Sequence, residues 1–213
     1  MLKQKKNFIT SIAYFLLFIL WTVAVSFVEV KPIGPLGSSV GFATLNGFVH
    51  NFTGVSFVLY NITDWLGLVP FAVCFGFGVL GLIKLIKRKS ILKVDYDILA
   101  LGVFYIVVIA VYLLFETVVI NYRPVLINGV LEVSYPSSTT MLTLCVMPTA
   151  IMQFKNRIKN KTARNIIIIL AVSFTVFMVV GRIISGVHWI SDIIGGALLS
   201  AGLVQLYNAF VKG

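Results

Sequence analysis

The sequence is short of the groups from which soluble domains build their surfaces. Only 11% of its 213 residues are charged and only seven are Asp or Glu. With 59% hydrophobic residues and a mean hydropathy of +1.02, such a chain has too little polar surface to face water all round. Cysteine is scarce too. Cys74 and Cys145 both fall inside apolar runs, where they act as small packing residues, so no disulfide framework is expected. Histidine occurs twice, at His50 and His188. A zinc site is a poor expectation, because the polar cluster around His188 offers one histidine and no cysteine, and no cofactor is expected.

What the chain does have is apolar runs long enough to cross a bilayer as helices, which takes roughly 20 residues. They cover 8–28, 65–86, 98–120, 139–154, 165–183 and 189–210. The reading is an all-α, six-transmembrane-helix bundle forming one integral membrane domain over residues 1–213. The last two runs are parted only by residues around Ser185 and Gly186, which predicts a tight helical hairpin.

Basic residues orient the bundle, because cytoplasmic loops hold an excess of Lys and Arg. With the N-terminus inside, fourteen of the seventeen basic residues, Lys212 among them, fall in the cytoplasm. Lys31, Arg123 and Arg182 make up the remaining three. Both termini are therefore expected to be cytoplasmic. The net charge of +10 is a topology signal with an affinity for anionic membrane lipids, and nucleic acid is not expected as a partner. The longest extramembrane segment, 29–64, places Phe42, Leu45, Val49 and Phe52 at helical spacing. It predicts a short amphipathic helix that either borders a lipid entry gap or packs on the bundle. His50, on that segment, is expected to be structural or exposed at the surface.

Against this background the polar residues at the outer ends of the runs stand out, since an ionisable side chain at membrane depth is costly unless paired or used. "GRIISGVHWISD", residues 181–192, holds Arg182, His188 and Asp192; Arg123 ends the third run; and "YPSST", residues 135–139, opens the fourth. His188 and Asp192 are four residues apart, which on one helix would let the carboxylate accept from an imidazole nitrogen. Arg123 and Arg182 offer forked donors suited to phosphate oxygens. Pro136 suits a helix start at which the amides of Ser137, Ser138 and Thr139 favour an anion. The ensemble describes a phosphate cradle around a nucleophilic histidine. Structural ion pairing of Arg182 with Asp192, snorkelling of Arg123 and plain helix capping by the serines are the alternatives.

These residues resemble the type 2 phosphatidic acid phosphatase superfamily, whose motifs read K-x-x-x-x-x-x-R-P, P-S-G-H and S-R-x-x-x-x-x-H-x-x-x-D. The matching stretches are "ETVVINYRP" at 116–124, "PSST" at 136–139 and the 181–192 segment. The resemblance implies a metal-independent lipid phosphatase or phosphotransferase, multi-pass in a bacterial plasma membrane, with its site at the outer face. It further implies His188 as nucleophile forming a phosphohistidine, Asp192 as its orienting partner, and Arg123 and Arg182 as phosphate ligands. The expected substrate is a lipid phosphate or pyrophosphate, such as a polyprenyl pyrophosphate or a phosphatidyl phosphate.

The match departs from the family at several positions. Gly181 replaces the serine of the third motif and Ser138 a glycine. Glu116 stands for the phosphate-binding lysine, and Thr139 for the histidine that protonates the leaving group. Glu116 is either a substitute acid or the helix-end ion-pair partner of Arg123. The alternative function is a catalytically silent relative that binds lipid phosphates or supports a partner protein.

Overall fold

The computed structural model describes residues 2–211; Lys212 lies outside them. Among these residues the chain forms eight α-helices and no named strand. They are α1 (Leu2–Phe27), α2 (Ala43–Thr53), α3 (Phe57–Leu66), α4 (Leu68–Arg88), α5 (Tyr96–Thr117), α6 (Ser138–Arg157), α7 (Lys161–Ile184) and α8 (Ile190–Phe210). Five stretches are long and apolar enough to cross a membrane: α1, α3 with α4, α5, α7 and α8. The chain is an integral membrane protein.

The fourth expected run corresponds to α6, which is long enough but not apolar enough to count among them. The reason is its position. α6 lies at the centre of the bundle, packed on α4, α5, α7 and α8. Its buried residues include Thr140, Thr143, Thr149 and Gln153, which meet protein instead of lipid. Gln153 donates to the Tyr207 hydroxyl (3.0 Å), and Thr149 Oγ1 is 3.3 Å from the Tyr105 hydroxyl.

The outer helices bury only one stripe. On α1 the buried residues are Ser11, Phe18 and Val25, a seven-residue repeat facing α8. Ser11 Oγ donates to the carbonyl of Gly202, and the Phe15 ring lies 2.9 Å from where a Cβ on Gly202 would stand. Gly195 and Gly196 let α8 approach the start of α6 in the same way: a Cβ would meet the Tyr135 ring at 2.6 Å and the Ser137 carbonyl at 3.0 Å. This draws the beginnings of α6 and α8 to one level, where the Ser137 amide donates to the Asp192 carbonyl (3.0 Å).

Two connections differ from the sequence reading. Although only a few residues join α7 to α8, the two helices touch each other little and both pack on α6, so the tight hairpin does not form. The expected amphipathic helix exists as α2, and it packs on α8 through Ala43 and Asn46 while Leu45, Phe48 and Phe52 stay exposed.

The third run ends at Thr117 instead of Ile120. Beyond it, residues 121–134 fold back on themselves as a hairpin, with Tyr122 bridging Val133 and Ile127 bridging Val130. The turn is Asn128–Gly129, both at positive φ (49° and 78°). That pair of conformations suits Asn-Gly and matches the twist of two paired legs.

Candidate active site

Four pieces of chain meet at the end of the bundle where α5 stops and α6 and α8 start: the 121–134 hairpin, the start of α6, the end of α7 with the 185–189 connection, and α3. His188 belongs to that connection, not to a helix, because α8 begins only at Ile190. Its ring is 5% exposed. Nδ1 lies 3.0 Å from the Ser134 hydroxyl and Nε2 lies 3.2 Å from Nη1 of Arg123. Burial, then the positive charges of Arg123 and Arg182, hold the His188 pKa well below its ordinary 6.5 and keep the ring neutral.

Asp192 is the third residue of α8 and fully buried. The expected direct bond to the imidazole is absent. The four-residue spacing was an argument for a shared helix, and the helix starts too late to include His188. The Asp192 carboxylate instead accepts from the amide of Trp189 (3.0 Å), the side-chain amide of Asn121 (3.2 Å), the Ser191 hydroxyl (3.3 Å) and the Ser134 hydroxyl (2.5 Å). Ser134 therefore stands between Asp192 and His188.

The arginines are held in an unforeseen way. Arg182, 1% exposed, donates through Nη2 to Asp64 Oδ1 (2.9 Å) and Thr139 Oγ1 (2.7 Å), so its carboxylate partner is Asp64 and not Asp192. Nε and Nη1 of Arg182 are buried without a hydrogen-bond partner among the described residues. Arg123 Nε lies 3.0 Å from Glu132 Oε2, an ion pair whose alignment falls short of a hydrogen bond. Its partner is thus Glu132 rather than Glu116. The ring of Tyr60 lies against both guanidinium groups, with centroid distances of 5.8 Å to Arg123 and 5.2 Å to Arg182.

Of the expected amide cradle, Ser137 is turned inward: its amide serves Asp192 and its hydroxyl donates to Thr140 (3.0 Å). Ser138 lines a narrow cleft with His188, Ser134 and Glu116. The cleft encloses about 10 Å³, room for about one water. A far roomier cavity, about 610 Å³, is an apolar groove between α4 and α5 that reaches none of these polar groups. At Gly181 a Cβ would come within 2.7 Å of the Thr63 methyl, so α3 fills the space in which the family's serine would stand.

Sequence reasoning therefore named His188, Asp192, Arg123, Arg182, Ser138 and Thr139 as neighbours, and the structure brings them together. It missed Ser134, Asn121, Glu132, Tyr60 and Asp64. The "NG" at 128–129 is a hairpin signal that would have returned Glu132 to Arg123 and Ser134 to Asn121. Tyr60 and Asp64 are four residues apart, with Asp64 one of only seven acidic residues. No sequence signal tied them to Arg182.

A buried neutral imidazole beside two guanidinium groups is an arrangement that suits a phosphoryl group. The family model of the PAP2 superfamily matches residues 71–213, more than half of the chain, and the protein belongs to that superfamily, whose members are phosphatases. The crystal structure of the first transmembrane PAP2 type phosphatidylglycerolphosphate phosphatase from Bacillus subtilis is similar in fold. Its TM-score is 0.52 at 17% identity, over 94% of this chain and 95% of that one. No curated protein matches the sequence.

Proposed function

We propose that the protein is a single-domain, metal-independent lipid phosphatase or phosphotransferase that works through a phosphohistidine on His188. The observation that carries this reading is Arg182: a guanidinium 1% exposed, with two donors left unpartnered, set beside a second arginine and a neutral imidazole. Buried donors of this kind are costly unless an anion takes them up. Nε2 of His188 attacks phosphorus, and the bond from phosphorus to the leaving oxygen breaks with its electron pair passing to that oxygen. Water then attacks the phosphohistidine, Nε2 departs with its lone pair, and phosphate is released.

The leaving group decides the substrate class. A pyrophosphate leaves as a phosphate, whose second pKa of about 6 makes it a stable anion near neutrality. An alkoxide needs a proton, and Thr139 cannot supply one. Glu116, free of Arg123 and lining the cleft of His188, is the substitute donor on this reading. A polyprenyl pyrophosphate is accordingly favoured over a phosphatidyl phosphate. The test offers purified protein in detergent a panel of lipid mono- and pyrophosphates, with phosphate release measured against His188→Ala; equal release from both proteins rejects the hydrolase.

The second reading, a silent relative that binds lipid phosphates or supports a partner protein, is favoured by one observation: both arginines already hold carboxylates, Asp64 and Glu132. The double variant Glu116→Lys, Thr139→His separates the two. A pyrophosphatase gains mainly on monophosphate esters, whereas a silent binder gains activity from none.

The site belongs at the outer face of a bacterial plasma membrane, with six spans and cytoplasmic termini. In support, Lys84, Arg88, Lys93 and Arg157 gather at the opposite end of the bundle from His188. A reporter fused after Lys212 is expected inside and one inserted at Asn128 outside; finding both on one side overturns the orientation.

A further inference from the structure

We infer that Ser134 is the positioning residue of this site, its hydroxyl set between Asp192 and His188 so that the neutral ring carries its proton on Nδ1 and keeps a free lone pair on Nε2. The catalytic consequence rests on the proposed phosphohistidine; the choice of tautomer does not.

Two constraints reach the ring from opposite sides and agree. On one side, a carboxylate accepts only, so across the 2.5 Å contact the single proton of the Ser134 hydroxyl goes to Asp192 Oδ2. The hydroxyl then has only lone pairs to offer Nδ1 at 3.0 Å, and Nδ1 must be the donor. On the other side, a guanidinium donates only, so Arg123 Nη1 at 3.2 Å requires Nε2 to accept. The two contacts favour the same tautomer, and with Arg123 also drawn to Glu132 the Ser134 contact is the one that fixes it. Asp192 cannot take over the task directly, because its two oxygens are already held by Trp189, Asn121 and Ser191 as well as by Ser134.

Ser134 is itself fixed from behind. It is 3% exposed, and its amide donates to the Asn121 carbonyl (2.9 Å), which closes the hairpin leg. Asn121 thus holds the backbone of Ser134 through its carbonyl and the carboxylate of Asp192 through its side chain. A positive charge arriving on the ring would be countered by Asp192 through one intervening hydroxyl, without a carboxylate in contact with the imidazole.

The chain's two histidines make the test direct. In His50→Gln protein labelled with ¹⁵N-histidine and held in detergent, the single imidazole is expected to show a protonated Nδ1 and an unprotonated Nε2 near neutral pH. A proton on Nε2, or an even mixture of tautomers, overturns the inference with no further variant needed. Ser134→Ala is expected to shift the spectrum toward a mixture and Ser134→Thr, which keeps the hydroxyl, to preserve it. An unchanged spectrum in Ser134→Ala also overturns the inference. Where turnover is measurable, Ser134→Ala should lower kcat about a hundredfold at unchanged KM, as for a misplaced reacting group, with recovery in Ser134→Thr. If His188→Ala releases phosphate as well as the parent, the hydrolase reading falls while the tautomer result stands by itself.

Discussion

The two ends of the bundle each hold a cluster of charge, and they treat it in opposite ways. At one end Asp95 takes Lys84, Arg88 (2.6 Å) and Arg157 (3.5 Å), and Asp97 takes Arg157 (2.6 Å), whose Nε donates to Gln153. These side chains are 20–44% exposed, and the Lys84 and Arg88 bonds hold the Asp95 carboxyl at about 2, down from 3.8. At the other end Arg182 is 1% exposed. Among the described residues, three of the buried side-chain nitrogen and oxygen atoms without a hydrogen-bond partner belong to Arg123 and Arg182 and none to the opposite cluster. Exposed, fully paired charges are worth about 0–1 kcal/mol each and act as staples between helix ends. Buried charges with donors to spare cost stability, and their retention points to work done on a ligand.

The largest effect expected from that contrast is in turnover. His188→Ala should reduce phosphate release to the uncatalysed background, while Asp97→Asn at the paired end should leave kcat within experimental scatter. Equal losses, measured on the same lipid, would break the distinction. Next comes affinity. Arg182→Ala removes two free donors whose charge-assisted bonds are worth about 1.5–3 kcal/mol each, so binding of a lipid phosphate should weaken about a hundredfold or more. Arg88→Ala should leave it unchanged.

The ends should also separate by pH. His188 stays neutral when folded but takes up a proton below about pH 6.5 once unfolded, so the unfolded state binds more protons and stability falls as pH drops below that value. The depressed Asp95 gives its contribution above pH 3.8 and loses it only as pH falls through about 2. Thermal unfolding in detergent from pH 8 to 4 should thus show a falling Tm that His188→Gln flattens and Asp95→Asn does not. The smallest effect concerns Asp64, whose side chain is 56% exposed. Asp64→Asn should release Arg182 and tighten phosphate binding about two- to fivefold, the scale of a solvent-screened pair.

The legible part of this molecule is the part written in short, contiguous stretches. Apolar runs disclosed five spanning stretches, and the 181–192 segment disclosed three site residues because chain neighbours stay neighbours in space. α6 was legible as a helix but not as the bundle's centre, since threonines on a central helix look like a weak span until the packing is seen. The bond between His188 and Asp192 was misjudged by the few residues that separate the connection from the first turn of α8. Asp64 could not be paired with Arg182 from sequence, because 118 positions separate them and the contact depends on how α3 lies against α7.

That placement of α3 turns on a contact with no side chain in it. Where α3 begins, the carbonyl of Gly54 sits 1.9 Å from where a Cβ on Gly186 would be, and the Ser56 amide donates to the Ser185 carbonyl (3.0 Å). Gly186 is also at φ +64°, a conformation that side chains resist. The two loops therefore form a joint with no slack, and α3 is the arm that carries Tyr60 and Asp64 over Arg182. A single methyl at Gly186 acts as a wedge at the fulcrum. It lifts the arm off the arginine from a position that touches neither, so the cover of the site is set by a tolerance of about one carbon atom.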